Sequence, residues 1–145
     1  MGSYFAVDDN NHIYILLRYE NALYEIDENG KCLLKTQLPY TWREKRRNEI
    51  RDGNSVFVVS NLDIFWDMKI IRNTIFACFF KTIKEGKTSK ENICETYVIK
   101  LFKDGKHSEK IFDGRVRILG EANGNLYLFN HDEYKVLPVK LSEWD

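Results

Sequence analysis

Two short patterns recur in the same order along this chain of 145 residues, and this repetition constrains the fold more than any other feature. The first pattern is a polar turn followed by apolar, aromatic and apolar residues, at 10–16 (NNHIYIL), 72–78 (RNTIFAC) and 123–129 (NGNLYLF). The second is an apolar strand that leads into Gly-Lys, at 23–31 (LYEIDENGK) and 98–106 (VIKLFKDGK). Self-similarity of this kind indicates repeated supersecondary units.

The composition of the repeated segments favours β-strands. They are rich in β-branched and aromatic residues, as strands are, and turn signals rich in Asn, Asp and Gly separate them. Asn and Gly tolerate the positive φ that tight hairpins require. We therefore predict an all-β fold made of repeated four-stranded antiparallel meanders.

The predicted strands form three units, at 4–38, 64–112 and 115–141, with a connector at 39–54. The last strand of the third unit is missing or absorbed into LSEWD. Nearly continuous apolar runs on the central strands suggest burial on both faces. The residues expected to be buried there are Ile13, Ile15, Ile75, Phe76, Leu126 and Leu128. The segment VFVVS at 56–60 favours a strand but has no place in this scheme.

Repeats of this form, with Tyr-x-apolar-Asp-x-Asn-Gly-Lys at 24–31, resemble blades of six-bladed β-propellers, the superfamily of NHL-type and gluconolactonase-like proteins. The resemblance implies a partial propeller of about three blades. A plain β-barrel or sandwich is the alternative. Trp66 aligns with Tyr4 and is expected to pack at the start of an inner strand.

Three blades cannot close a ring, because closed propellers have roughly four to eight. The two terminal sheets would keep open faces and edges. Either the chain is a fragment, or copies associate, and two three-bladed halves would complete six blades around a two-fold axis. We expect self-association as a homodimer, or a partner that supplies further blades.

Charge and composition limit the kinds of partner and the cellular compartment that we expect. The 22 basic residues balance 22 acidic ones, so a protein partner is favoured over nucleic acid. No apolar run approaches the roughly 18–20 residues of a membrane span. An absent signal peptide and an odd number of cysteines, expected to be reduced thiols, favour the cytoplasm, although Met1, Gly2 and Ser3 look like an expression scar.

Alternate connections of a meander lie on opposite rims, and the longest, most charged loops are expected together on one rim. Binding residues concentrate on such loops over a rigid scaffold. The connector is the most unusual of them, since Thr41 and Glu44 fit a capping box and suggest a short helix. Its candidate binding residues are Tyr40, Trp42, Arg43, Arg46, Arg47 and Arg51. They could bind an anion or nucleic acid, with the aromatic rings stacking, or form a solvated, salt-bridged face.

No nucleophile motif, phosphate loop or dinucleotide fingerprint is present in the sequence. We predict no catalytic residue, no metal ligand and no cofactor. The favoured function is therefore a non-catalytic interaction or ligand-binding module that uses the loops of one rim. One alternative is a metal-dependent hydrolase, which the resemblance to gluconolactonase-like proteins implies. Another is weak nucleic-acid binding through the Arg-rich connector.

Overall fold

The computed structural model describes residues 3–41, 43–87, 91–102 and 104–145, without the side chains of 43–52 and 55–62. In this part of the chain, twelve strands and one short 3-10 helix make up the regular structure. The strands are β1 (Ser3–Val7), β2 (Ile13–Leu17), β3 (Ala22–Ile26), β4 (Cys32–Gln37), β5 (Arg43–Asp52), β6 (Ser55–Ile71), β7 (Thr74–Lys84), β8 (Ile93–Leu101), β9 (His107–Asp113), β10 (Val116–Ala122), β11 (Asn125–Asn130) and β12 (Lys135–Lys140). The 3-10 helix is Leu141–Trp144.

The strands form three antiparallel sheets, each with its strands in chain order. Sheet I contains β1 to β4, sheet II contains β5 to β9, and sheet III contains β10 to β12. Because every strand pairs with its neighbours in sequence, each sheet is a meander whose contacts are local. The prediction of an all-β fold of repeated antiparallel meanders is confirmed.

The connector is where the prediction was wrong. Arg43–Asp52 is the strand β5, not the short helix that Thr41 and Glu44 suggested. It pairs with the first half of β6, from Arg43 opposite Asp63 to Asp52 opposite Ser55. The segment VFVVS supplies that partner, so it belongs to β6. A capping box is a local signal, and pairing with the next strand, which sets Glu44 opposite Leu62, overrides it.

The two turns that align in sequence have the same hydrogen bonds. The Asp27 amide donates to the Lys31 carbonyl at 2.9 Å, and the Gly30 amide donates back to Asp27 at 3.0 Å. In the second turn Phe102 and Lys106 form the 2.9 Å bond, and the Gly105 amide donates to Phe102 at 3.0 Å. The sequence repeat therefore encodes one turn geometry, used twice.

The sheets are stacked in series, with two separate cores on the two faces of sheet II. The first core lies between sheets I and II and contains Tyr14, Leu16, Leu23, Leu38, Tyr40, Phe65, Met68, Ile75, Ala77, Phe79, Ile99 and Leu101. The second lies between sheets II and III and contains Phe76, Cys78, Val98, Val116, Ile118, Leu126, Leu128, Val139 and Trp144. Neighbouring residues of β7, such as Phe76 and Ala77, thus belong to different cores, as burial on both faces requires.

The predicted burial holds for sheets II and III but not for sheet I. Ile75, Phe76, Leu126 and Leu128 are buried, whereas Ile13 is exposed and Ile15 only half-buried. Along β2 it is Tyr14 and Leu16 that enter the core. The reason is that sheet I lies at the end of the stack, so one of the two apolar faces of β2 has no sheet packed against it.

Strand β6 of sheet II lies between the first strands of sheets I and III. Strand β1 contacts β6, and β6 contacts β10. Side chains of β1, β10 and the second half of β6 therefore meet at one edge of the stack, where the site described next is found.

Candidate functional site

The connections of the meanders divide between two rims. The tight turns after β1, β3, β6 and β8 lie on one rim, which we call the turn rim. The connections after β2, β7, β9 and β11 lie on the other, the loop rim. Strands β1 and β10 and the second half of β6, from Ile64 on, run away from the loop rim, so the residues near the start of each are close to it.

Of the binding residues predicted on the connector, Tyr40 lies in the first core. Its ring packs against Phe65 and Phe79, with centroids 5.7 and 5.2 Å away, and its hydroxyl donates to Glu109. Burial, followed by the hydrogen bond to Glu109, raises the pKa of Tyr40 well above that of a free tyrosine. Such a ring is held by the protein and does not offer a face for stacking.

The remaining predicted binding residues give no site geometry. Trp42 lies outside the described residues, and Arg43, Arg46, Arg47 and Arg51 lie on β5, whose side chains are not described. Their role in anion or nucleic-acid binding stays a prediction. The four arginines would bind such a ligand from a strand and not from a helix.

A different set of side chains forms a contiguous group on the loop rim. The Arg117 guanidinium lies over the indole ring of Trp66, with 4.5 Å from Cζ to the centroid. The same indole contacts the rings of His131 at 5.6 Å and Phe80 at 5.7 Å. The group thus joins residues of β6, β7 and β10 with the loop after β11, across sheets II and III.

Sheet I contributes a second pair of an arginine and an aromatic ring on the loop rim. The Arg18 guanidinium lies 5.4 Å from the ring centroid of Tyr4. Burial raises the pKa of the Tyr4 hydroxyl, while the positive charges of Arg18 and Arg117 act on it in the opposite direction. We call Tyr4, Arg18, Trp66, Arg117 and His131 the rim cluster. Its members come from all three sheets.

The rim cluster is rich in hydrogen-bond donors that have no acceptor. In the described part of the chain, Arg18 Nε and Trp66 Nε1 are buried and have no partner. The Arg117 guanidinium also has no carboxylate partner among the described residues, where Arg72 pairs with Glu121 at 2.5 Å. Buried donors without an acceptor cost free energy, so these two atoms lower the stability of the fold at this rim.

The nearby carboxylate is already engaged. Asp67 Oδ2 accepts the backbone amide of Ile118 at 3.0 Å, and Oδ1 lies 3.7 Å from Lys69 Nζ. Asp67 is buried and holds β10 against β6. It therefore lowers the positive charge of the rim cluster only in part.

A cavity of about 230 Å³ lies beside the cluster, lined by Ile93, Cys94, Asp113, Gly114, Asn130, Asp132 and Glu133. Its polar groups serve the turn: Asp132 Oδ2 accepts the Arg115 amide at 3.1 Å, and Asn130 Oδ1 accepts the Asp132 amide at 2.9 Å. Burial raises the pKa of the Cys94 thiol, which keeps it protonated and weakly nucleophilic. The cavity is a structural feature of the sheet II–III junction.

The described residues contain neither a cluster of metal-ligating side chains nor a helix that could span a membrane. No three His, Cys, Asp or Glu side chains there stand close enough together to hold a metal ion. None of the helical structure there is long and apolar enough to cross a bilayer.

Sequence reasoning missed most of the rim cluster. The alignment of Trp66 with Tyr4 was its one visible signal, since the sequence predicts both near the start of the first strand of a unit. Arg18 and Arg117 are lone arginines in polar contexts. Only the stacking of three sheets brings them together.

Compared with models of protein families, with curated protein sequences and with solved structures, the chain gives no significant match.

Proposed function

We propose that this chain is a non-catalytic binding module, with a propeller-like scaffold that presents its loop rim to a ligand. The observation that carries the proposal is the rim cluster, where two guanidinium groups lie against aromatic rings and form no ion pair with a described carboxylate. An interaction surface needs donors that the fold itself leaves unpaired, and rigid strands that hold them. The opposite rim consists of tight turns whose side chains cap their own backbone.

The turn rim illustrates that difference. Asp8 Oδ1 accepts the amides of Asn10 and His12 at 2.9 and 3.0 Å, and Asp27 Oδ1 accepts those of Asn29 and Lys31 at 2.9 and 2.8 Å. These carboxylates satisfy local backbone donors and so stabilise turns. A carboxylate that already accepts these backbone hydrogen bonds has fewer acceptor sites available for a binding partner.

The test is a fragment screen on uniformly ¹⁵N-labelled protein, read by amide chemical shifts. We expect hits to cluster at residues 18–21, 114–118 and 130–134 on the loop rim. Amides of the turn rim, at 9–12 and 28–31, are the internal control and should stay unchanged. Hits that map to the turn rim, or to no common surface, would overturn the proposal.

We further propose that two copies associate through their terminal sheets. The outer face of sheet I presents Phe5, Val7 and Ile13, which are 73%, 53% and 37% exposed. These side chains are neighbours, because Val7 pairs with Ile13 and Phe5 pairs with Ile15. The face is therefore one continuous apolar patch.

The outer face of sheet III offers a second patch. Val136, 53% exposed, pairs with Phe129, and Pro138 pairs with Tyr127. A large apolar or aromatic side chain presents roughly 150–250 Å², so each patch amounts to about 400 Å². Two contacts, each between a sheet I face and a sheet III face, would bury about 1,600 Å² in total, the size of a standard stable interface.

The arrangement of the two patches supports a closed pair of copies. Sheets I, II and III already pack face to face inside one chain, and the same series can continue from sheet III of one copy to sheet I of the next. Such a head-to-tail contact closes when the second copy returns to the first. A closed ring leaves no apolar face in water, which an open series does not achieve.

Light scattering after size exclusion tests the association. We expect a mass near twice 17.2 kDa, and a monomer for either Phe5→Lys or Val136→Lys. Ile111→Lys is the control, since Ile111 is equally exposed but lies on sheet II. A wild-type monomer at all concentrations would overturn the proposal.

Mixing the two variants separates head-to-tail from face-to-same-face pairing. In a head-to-tail pair, sheet III of the Phe5→Lys chain and sheet I of the Val136→Lys chain are both intact. The mixture should therefore regain a heterodimer with one good contact. A Val136→Lys variant that remains dimeric alone would mean that only the sheet I faces pair, and the closed arrangement would be wrong.

A further inference from the structure

We propose that the cavity between sheets II and III on the loop rim receives a lysine or arginine side chain of a partner protein, while Tyr134 packs against the segment that carries it. The proposal rests on the loop rim being the binding surface and adds the kind of partner bound there. It uses the start of β8 and the loops after β9 and β11. It is independent of whether two copies associate.

The size of the cavity fits one side chain. Its volume of about 230 Å³ is below the roughly 300–1,000 Å³ of pockets that enclose a whole small ligand. Ile93 and Cys94, at the start of β8, supply its apolar lining, and Ile93 is 56% exposed. An apolar wall suits the methylene stem of a long basic side chain, whose charged end then needs polar partners.

The polar lining of the cavity is acidic. Its three carboxylates are Asp113, Asp132 and Glu133, and none of its lining residues is a lysine or an arginine. Arg115 lies 3.7 Å from Asp132 and neutralises that carboxylate. Glu133 has only an exposed pair with Lys135 at 3.8 Å, which water and salt screen. The local charge therefore stays negative and favours a cation.

Asp113 is the carboxylate of this cavity that the loops do not use. The side chains of Asp132 and Asn130 accept backbone amides, but no hydrogen bond or ion pair joins the Asp113 carboxylate to another described residue. The Asp113 carbonyl accepts Asn130 Nδ2 at 3.1 Å, so the backbone beside the cavity is fixed. A basic side chain would thus meet an acceptor that the scaffold already holds.

Tyr134 is exposed in an unfavourable backbone conformation next to this acidic loop. Its φ is 52°, a region that a bulky residue enters only at a cost, and its side chain is 84% exposed. It follows Glu133 directly, and its ring packs against Phe129 with centroids 6.4 Å apart. Strain and exposure together indicate contact with a partner, since aromatic side chains contribute much of the energy of protein interfaces.

The experiment is a titration of uniformly ¹⁵N-labelled protein with the peptide acetyl-Leu-Arg-Leu-amide. We expect saturable amide shifts at 93–94, 113–114 and 130–134, and weaker binding at high salt, because ions screen the contact. The peptide acetyl-Leu-Gln-Leu-amide is the matched ligand without the charge and should not saturate the same amides.

Variants locate the two parts of the site. Asp113→Asn should weaken binding of the arginine peptide about threefold or more, because a charged acceptor is lost. Tyr134→Asn should also weaken binding, yet leave the thermal unfolding temperature unchanged or higher, since Asn tolerates positive φ. A purely structural Tyr134 would show the reverse. Asp9→Asn, which changes an exposed carboxylate on the turn rim, is the control and should bind as the wild type does.

The site is refuted by any of three results: no saturable binding of the arginine peptide, equal binding of the glutamine peptide, or unchanged binding by Asp113→Asn. Fragments that still bind elsewhere on the loop rim, at 18–21 or 115–118, would then leave the proposed function in place. If neither peptide nor fragment shifts any amide of the loop rim, the proposed function fails as well. The two failures are therefore distinguishable.

Discussion

The indole nitrogen Nε1 of Trp144 donates to the backbone carbonyl of Val98 at 2.9 Å, although 46 residues separate them in the chain. Trp144 is only 1% exposed and packs edge-on against Phe76, with ring centroids 5.6 Å apart. The 3-10 helix that carries Trp144 follows the three-stranded sheet III and places this side chain among the residues of the second core. The C-terminal segment is thus a component of the second core.

Truncating the side chain of Trp144 should lower the stability of the fold. We expect Trp144→Ala to lower the free energy of unfolding by about 3–5 kcal/mol, because large-to-small changes in a packed core leave a cavity. Trp144→Phe keeps most of the volume and loses the hydrogen bond to Val98, so its cost should be smaller. Urea unfolding followed by circular dichroism measures both. Equal costs for the two variants would assign the effect to the hydrogen bond and contradict the packing argument.

Thr96 links sheets II and III through both functions of its hydroxyl. Its Oγ1 donates to the Gly114 carbonyl at 2.7 Å and accepts the Val116 amide at 3.0 Å, in a fully buried position. Thr96→Val keeps the shape but leaves the Val116 amide unpaired, so we expect a loss of about 1–3 kcal/mol in unfolding free energy. Thr74→Val, at a half-buried hairpin position, is the control and should change little.

The lowered pKa of Asp8 predicts that the stability of the protein depends on pH. Desolvation raises its pKa, but hydrogen bonds from His12, Asn10 and Tyr14 outweigh this and hold the pKa below its usual value. A lowered folded-state pKa means that the stabilisation is present above the unfolded pKa of about 3.9 and is lost as the pH falls through the folded value. Asp8→Asn should therefore be less stable than wild type at pH 7, and the difference should shrink as the pH falls below about 3.9.

The control for that pH series is the neighbouring carboxylate. Asp9 is exposed, and none of the described residues bonds to its side chain. Asp9→Asn should follow the wild-type curve at every pH. If Asp8→Asn kept its full deficit at pH 2, the loss would come from turn geometry and not from the charge.

Because the two Gly-Lys turns have the same geometry, the same substitution in either turn should destabilise the protein to the same extent. Gly30 and Gly105 have φ of 82° and 87°, a region that an L-residue enters at a cost of roughly 1–2 kcal/mol. Gly30→Ala and Gly105→Ala should each destabilise by about that amount, and Gly30→Asn by less, since Asn tolerates this region. Thermal unfolding measures all three, and a large difference between the two Ala variants would contradict the shared geometry.

Much of the fold was predictable because its signals are local. The hairpins of sheet I and the turns at Gly30 and Gly105 depend on neighbours a few residues apart, and the meander order adds no long-range pairing. The failure at β5 has the opposite cause. Thr41 and Glu44 carry a helix signal, while the partner strand begins only at Ser55 and pairs along a length that local patterns do not report.

The candidate site was mostly beyond prediction for a related reason. Tyr40 looked like a surface aromatic beside a charged run, but the packing of Phe65 and Phe79 buries it. Arg18 and Arg117 carry no motif. Their proximity to Tyr4 depends on which faces of the three sheets meet, and single residues in separate turns or strands do not encode that.

The amino-acid sequence alone determined the antiparallel meanders, their order and their turns, because alternation of apolar residues and the φ preferences of Gly and Asn act within a few residues. Tertiary structure decided which face of each strand is covered, as Ile13 and Ile75 illustrate: both lie in the same repeated pattern, yet one is exposed and the other buried. The physical reason is position in the stack. A sheet between two others has both faces removed from water, whereas a terminal sheet has one, and no local pattern records where in the series a repeat stands.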